Sequence, residues 1–266
     1  MATWSDDLAL AHELADAADD ITRARYEAAD LVVETKPDLT PVSDADRAVE
    51  EALRTMVEAR RPSDAVIGEE YGASGSGDRR WIVDPVDGTK NFVRGTPSWA
   101  TLIALEVDGV VVVGCVSAPA LARRWWAARG EGAWVSSPTG TRRCQVSKVS
   151  ALDDAFLSYA SLQGWEEHGR LAAFLDLTRR VWRTRAYGDF WSHMLVAEGA
   201  VDVSCEPEVS LWDLAALQPI VEEAGGRFSD LSGTARPDGG SVVCSNGMLH
   251  DDVLAALSHA NDVGHK

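Results

Sequence analysis

Two aspartates, Asp84 and Asp87, stand three residues apart in the run Trp81-Ile82-Val83-Asp84-Pro85-Val86-Asp87-Gly88-Thr89-Lys90-Asn91-Phe92. Trp81–Val83 reads as a short buried strand that stops at Asp84-Pro85, because proline has no N–H to give a central ladder. Gly88 permits close backbone approach. Thr89 then opens a short helix, whose first N–H groups form a ready anion site. Two carboxylates beside such a cradle repel an anionic substrate unless cations stand between them, so the pattern fits Mg²⁺ bridging protein and phosphate oxygens. The same residues could also form a turn whose acids serve only as local caps. Further acids add weight: Glu69-Glu70 after a short strand and a glycine, Asp213 in Leu211-Trp212-Asp213-Leu214, and Asp46 early in a helix. Each has a plainer role open to it. Asp213 could be a helix-dipole acid, Asp46 could complete a capping box with Ser43, and Glu70 could be solvated surface. An all-oxygen donor set suits a hard cation, and no His/Cys cluster competes for zinc.

The elements that must position these residues are legible in outline. Ser5 to about Tyr26 reads as an amphipathic helix with Ser5 as its N-cap. Ser43 caps a second helix with Val49, Leu53, Met56 and Val57 on one stripe. Ala65–Gly68 is a short buried strand, and 72–78, rich in glycine and serine, reads as a mobile link. Leu102–Val107 and Val110–Val116, joined by Asp108-Gly109, form a hairpin. Leu171–Thr178 and Asp189–Ala200 read as helices, Val201–Val203 and Ser241–Cys244 as strands, and Asp251–Ser258 as a final helix. A helix from Ser210 or Leu211 to Ala224 is stopped by Gly225-Gly226, with Pro219 imposing a kink or a late restart. The alternation predicts a layered α/β or α+β fold with a soft boundary near 147–155. The halves 1–150, with most of the candidate ligands, and 151–266, with Asp213 and the substrate-side residues, are expected to form one compact catalytic unit.

Composition narrows the partners. The chain has 266 residues, enough for a substantial core without staples. Lys and Arg number 25 against 42 Asp and Glu, a net charge of −17. That balance argues against nucleic acid or an anionic membrane, although solubility alone could account for it. No window approaches the roughly 18 apolar residues of a membrane helix. The acidic start Met1–Asp7 does not read as a signal peptide. Cys115, Cys144, Cys205 and Cys244 are widely spaced, so they read as buried thiols in a reducing compartment, and a cytoplasmic protein is expected. Most of the 10 tryptophans should serve the core or a dimer interface.

Gly68-Glu69-Glu70, the nine-residue run Asp84–Phe92, Ala127–Ala133, Trp212-Asp213 and Glu223-Ala224-Gly225-Gly226 together resemble the inositol monophosphatase family of Mg²⁺-dependent phosphomonoesterases. The matches run in order from about Lys36 to Asn246. The stretches Lys36–Arg47, Asn91–Gly95, Ser117–Ala120, Arg124–Gly130 and Arg185–Phe190 resemble an actinobacterial branch of that family that acts on histidinol phosphate.

The resemblance implies an α-β-α-β-α sandwich, usually a homodimer or tetramer, and a dimer is expected here. It implies two to three Mg²⁺ ions: one held by Glu69, Asp84 and the Val86 carbonyl, one by Asp84, Asp87 and Asp213, and a weaker third leaning on Glu69. Glu69 and Thr89 would position and deprotonate the attacking water, with Asp46 close by. The N–H groups of Gly88 and Thr89 would receive the phosphate. Histidinol phosphate carries an amine and an imidazole, and Asp189 and Glu206 stand where the family contacts substrate. Asp189 could equally be a helix N-cap, and an acid at Glu206 also occurs in members that take inositol. Asn246 is expected at the pocket edge. The implied reaction is release of L-histidinol in histidine biosynthesis. The alternatives are an inositol-1-phosphate phosphatase with the same site and a non-catalytic metal-binding scaffold of the same fold. His12, His168, His250, His259 and His265 fall in surface or terminal segments, and His193 on a helix suits packing or solvent. Lys36 and Arg94 could serve as phosphate-side cations, although solvated surface is the plainer reading of each because the metals already supply positive charge.

Overall fold

The computed structural model describes residues 3–37 and 39–258. Met1, Ala2, Asp38 and 259–266, with His259 and His265 among them, lie outside the described residues. An eight-stranded sheet runs in the order Gly140–Arg143, Gly132–Ser137, Arg123–Ala128, Val110–Ala118, Ala100–Val107, Arg79–Asp87, Ala65–Gly68, Gly72–Ser74. Its neighbours are antiparallel except Ala65–Gly68, which runs parallel to Arg79–Asp87. A five-stranded mixed sheet follows in the order Arg183–Arg185, Phe156–Ser158, Val203–Glu206, Val242–Ser245, Arg227–Ser229.

Apolar faces set the layers. The helices Ser5–Arg25 and Asp44–Arg60 bury Leu10, Leu14, Val49 and Leu53 against Trp81, Val83 and Ile103 on one face of the large sheet. On its other face, Met194 and Ile220 from the helices Asp189–Ala197 and Leu217–Glu223 join Ile82, Leu102 and Trp125. Phe228 and Cys244 of the small sheet belong to that same cluster, so this helical layer lies between the two sheets. Phe174, Leu177 and Val253, from the helices Leu171–Arg180 and His250–Ser258, cover the small sheet's far face. The result is the α-β-α-β-α order that the resemblance implied. Each fully buried large apolar side chain contributes roughly 1.5–3 kcal/mol.

Close approach fixes the central contact. A Cβ on Gly114 would lie 2.2 Å from the Ala216 carbonyl oxygen, so only glycine lets the helical layer seat there. The expected helix over 211–224 is two helices, Leu211–Ala215 and Leu217–Glu223, with Pro219 in the first turn of the second, where a missing N–H costs least. Glu223 accepts from the N–H groups of Gly130 (2.7 Å) and Gly132 (2.8 Å) and so ties the Ala127–Ala133 and Glu223–Gly226 motifs together.

Several expectations need correction. Trp4, not Ser5, is the first helix's N-cap residue, and among the described residues no side chain caps it. The segment 72–78 contains the edge strand Gly72–Ser74, paired with Ala65–Gly68. The strand placed at Val201–Val203 begins only at Val203. Arg79–Asp87 continues through Pro85 because the register shifts between Asp84 and Asp87, and the ladder skips the residue that cannot donate.

His250 is not at the surface but fully buried, its ring between the Ser229 and Ser245 hydroxyls, both at 2.9 Å. Burial, and then Arg227, pull its pKa from 6.5 down to about 4. The unfolded chain therefore binds more protons than the folded one between those values. Stability should fall as pH drops from about 6.5 toward 4, by about 3 kcal/mol in total for this group. Buried acids such as Asp213, with a pKa raised to about 7, titrate in the same window with the opposite sign, so the contribution is read by difference. The urea midpoint of the wild type should fall relative to that of His250→Gln as pH drops, and a pH-independent difference would refute the assignment.

Candidate active site

The cleft opens where the strand Arg79–Asp87 ends, between the sheets, with a volume of about 980 Å³. Asp84, Val86, Asp87, Gly88, Thr89, Glu69, Asp189, Glu206 and Asp213 all line it. The bulge that accommodates Pro85 lets Asp84 and Asp87 reach the same cavity from one strand. Asp213 arrives from the third position of its short helix, where its carboxylate accepts from the Ser210 N–H at 2.7 Å. Carboxylate oxygens of Asp84, Asp87 and Asp213 lie within 4.8 Å of one another. Asp87 Oδ2 accepts from the Phe190 N–H at 2.7 Å, which ties it to the helical layer.

Three carboxylates at that spacing repel one another. Asp84 is 2% exposed, and its Oδ1 has no hydrogen-bond partner among the described residues. Burial, then Glu69, Asp87 and Asp213, push its pKa well above the usual carboxylate range. Burial, Asp189 and Asp213 do the same to Asp87, and burial carries Asp213 up to about 7. An orphaned buried carboxylate oxygen within a cluster of like charges fits a hard divalent cation, and the donor chemistry is that of Mg²⁺ or Ca²⁺.

Behind the cluster, Thr89 Oγ1 lies 2.9 Å from the Val86 carbonyl oxygen and 3.1 Å from Asp46 Oδ1. Asp46 is fully buried and also forms the expected capping box, with its Oδ2 accepting from the Ser43 N–H at 2.8 Å. The capping-box reading is met, and the same side chain reaches toward the cleft through Thr89. Gly88 is left-handed at φ 82°, and a Cβ there would meet the Ser98 carbonyl oxygen at 2.8 Å.

At the cleft's other end, Asp189 is the first residue of its helix, and Gly188, not Asp189, is the N-cap residue. Asp189 Oδ2 accepts from Asn91 Nδ2 at 2.8 Å; burial, then Glu206, raise its pKa to about 6. Glu206 bonds the buried His193 at 3.0 Å, and Ser204 holds the far ring nitrogen at 2.8 Å. Asn246 is not among the cleft-lining residues. Its side chain bonds Ser147, the Val149 carbonyl and the N–H groups of Met248 and Leu249, so it splices the last strand to the last helix.

Lys36 is not solvated surface. The hairpin Val33–Thr35 with Pro41–Ser43 brings its ammonium to Glu69 (2.7 Å) and Glu70 (2.6 Å). Burial opposes that charge, but the two carboxylates outweigh it and raise the pKa. Glu70 is thereby removed from solvent as well. Arg94 is exposed, as expected. The roles of Lys36 and Asn91 rest on partners 33 and 98 residues away, and no local signal announces them.

This layered fold, with an acidic oxygen cluster at a strand's end, defines the class: the chain belongs to the inositol monophosphatase family, whose profile matches residues 4–262. It is 59% identical over 263 residues to a histidinol-phosphatase of Streptomyces coelicolor, covering 97% of this chain and 99% of that one. It is 60% identical over 256 residues to a histidinol-phosphatase of Mycobacterium tuberculosis, covering 95% and 98%. Among solved structures, extragenic suppressor protein suhB of Bartonella henselae superposes with a TM-score of 0.87 at 28% identity, covering 96% of this chain and 99% of that one. An inositol monophosphatase of Thermotoga maritima gives 0.85 at 29% identity, covering 96% and 98%.

Proposed function

We propose that this protein is a Mg²⁺-dependent histidinol-phosphatase, releasing L-histidinol and phosphate by attack of an activated water, and that it works in the cytoplasm as a homodimer. The carboxylate cluster of Asp84, Asp87 and Asp213, with its orphaned Asp84 oxygen, carries the reaction class. Near-60% identity across almost the whole chain to two histidinol-phosphatases supports the substrate. Four buried free cysteines suit a reducing compartment. Trp182, 66% exposed beside Phe156, suits burial against a second copy. No helix among the described residues is long and apolar enough to cross a membrane.

Asp84, Asp87, Asp213, Glu69 and the Val86 carbonyl would hold two to three ions. Bound Mg²⁺ supplies Lewis acidity and neutralises phosphate charge. The protein's own groups do the rest. Gly88 and Thr89 offer N–H groups to the phosphate. Glu69 and the Thr89 hydroxyl orient the water, and Thr89 Oγ1 can pass a proton toward Asp46 Oδ1. Such positioning is most of what phosphoryl transfer asks of a protein. Asp189, fixed by Asn91, and Glu206, fixed by His193, present carboxylates to a cationic leaving group.

Phosphate release from histidinol phosphate and inositol 1-phosphate, assayed in parallel with Mg²⁺ and then with chelator, tests this reading. A preference for histidinol phosphate that chelation abolishes is expected; a preference for inositol phosphate would overturn the substrate. Asp189→Asn should raise KM for histidinol phosphate about tenfold, near 1.4 kcal/mol, and leave KM for inositol 1-phosphate within about twofold. Equal shifts for both substrates would remove Asp189 from specificity.

A further inference from the structure

Behind the cleft lies a buried carboxylate that the chemistry above does not use. Glu50, on the helix Asp44–Arg60, is fully buried. Its Oε2 accepts from the Glu70 N–H at 2.7 Å and its Oε1 from the Tyr71 N–H at 3.1 Å. Arg54 supplies the counter-charge, with Nε 2.8 Å from Glu50 Oε1. Arg54 also donates to the Gly72 carbonyl and, at 2.7 Å, to the Ser74 hydroxyl. A charge is kept in such a place only when its oxygens are this fully engaged. The chain makes room for it: a Cβ on Gly68 would lie 2.2 Å from Glu50 Oε1.

The peptide that Glu50 grips is the one following Glu69, so the grip fixes the backbone on which the Glu69 carboxylate stands. Asp46, Glu50 and Arg54 are spaced i, i+4, i+8 and share one helix face, each about 6 Å further along the axis. Asp46 meets Thr89, Glu50 meets the amides after Glu69, and Arg54 meets the strand beyond. One rigid helix face therefore sets the separation between Thr89 and Glu69.

We propose that Glu50, braced by Arg54, is a positioning residue that holds the Glu69 turn at the spacing metal binding requires. The inference rests on Glu69 being a metal ligand. Calorimetric titration of the metal-free protein with Mg²⁺, without substrate, tests it, with thermal melting in chelator run alongside. Glu50→Gln keeps the volume but cannot accept both amide protons as a carboxylate does. It should weaken the Mg²⁺ affinity by about tenfold, the low end for groups that orient metal ligands. Arg54→Met, which leaves the carboxylate in place but removes its brace, should weaken the affinity by about threefold. A purely structural role would lower the melting temperature in chelator and leave the affinity unchanged in either folded variant, and that result would overturn the proposal. If Glu50→Gln fails to fold, the Arg54→Met titration decides by the same criterion. Glu69→Gln in the same titration separates the two layers: unaltered affinity there refutes Glu69 as a ligand, whereas a loss there with none in the Glu50 and Arg54 variants refutes the positioning role alone.

Discussion

Asp84→Asn should reduce Mg²⁺-dependent turnover by about a thousandfold or more, equivalent to roughly 4 kcal/mol of lost transition-state stabilisation, while making the metal-free protein more stable. The two effects have one cause. Asp84 is 2% exposed, leaves Oδ1 without a partner among the described residues, and faces the carboxylates of Asp87 and Asp213 across less than 4.8 Å. Without cations that arrangement stores repulsion, and the amide removes one member of the clash at nearly constant volume. In chelator the variant's melting temperature should rise by a few degrees, a gain of about 1 kcal/mol. Added Mg²⁺, which should stabilise the wild type by mass action, should do little for the variant. Turnover near the wild-type rate would end the metal assignment. A variant less stable in chelator would mean that the cluster is not under electrostatic strain.

Thr89→Val carries the second large effect. Its hydroxyl lies between the Val86 carbonyl and Asp46, at 2.9 and 3.1 Å, and valine keeps the shape without the proton. If that hydroxyl orients the water and relays its proton, kcat should fall by about a hundredfold to a thousandfold. The Mg²⁺ affinity should stay within about threefold, because the carboxylates are untouched. Thr89→Ser should restore most of the rate. Loss of Mg²⁺ affinity in parallel with kcat would recast Thr89 as a support for the Val86 carbonyl alone.

The sequence exposes the part of this site that is local. Asp84, Asp87, Gly88 and Thr89 are consecutive enough for their spacing to describe a strand end, a turn and a helix start, and Asp213 sits in a recognisable first turn. Pro85 was misleading because a proline normally ends a central strand. Here Ala65–Gly68, on one side, has already ended at Val83, and a register shift lets Ala100–Val107, on the other, skip the imino acid. Lys36, Glu50 and His250 hide for a different reason. Lys36 and His250 stand in segments that read as surface, and Glu50 is an acid beside Val49 on an amphipathic helix; only partners across the fold account for the burial of each. Asn246 shows the reverse: an amide expected at the pocket edge is taken up by the backbone it splices, and no pattern around it foretells those partners.

Asp213 comes from a helix beyond the first three strands of the small sheet, whereas Asp84 and Asp87 come from the middle of the large one. In the proposed metal site, a chain still emerging from the ribosome lacks the Asp213 carboxylate until its second half has been made and has docked. Ion binding and that docking must then favour each other by the same free energy. On that reading, the magnesium level acts on the docking of the two halves as well as on rate.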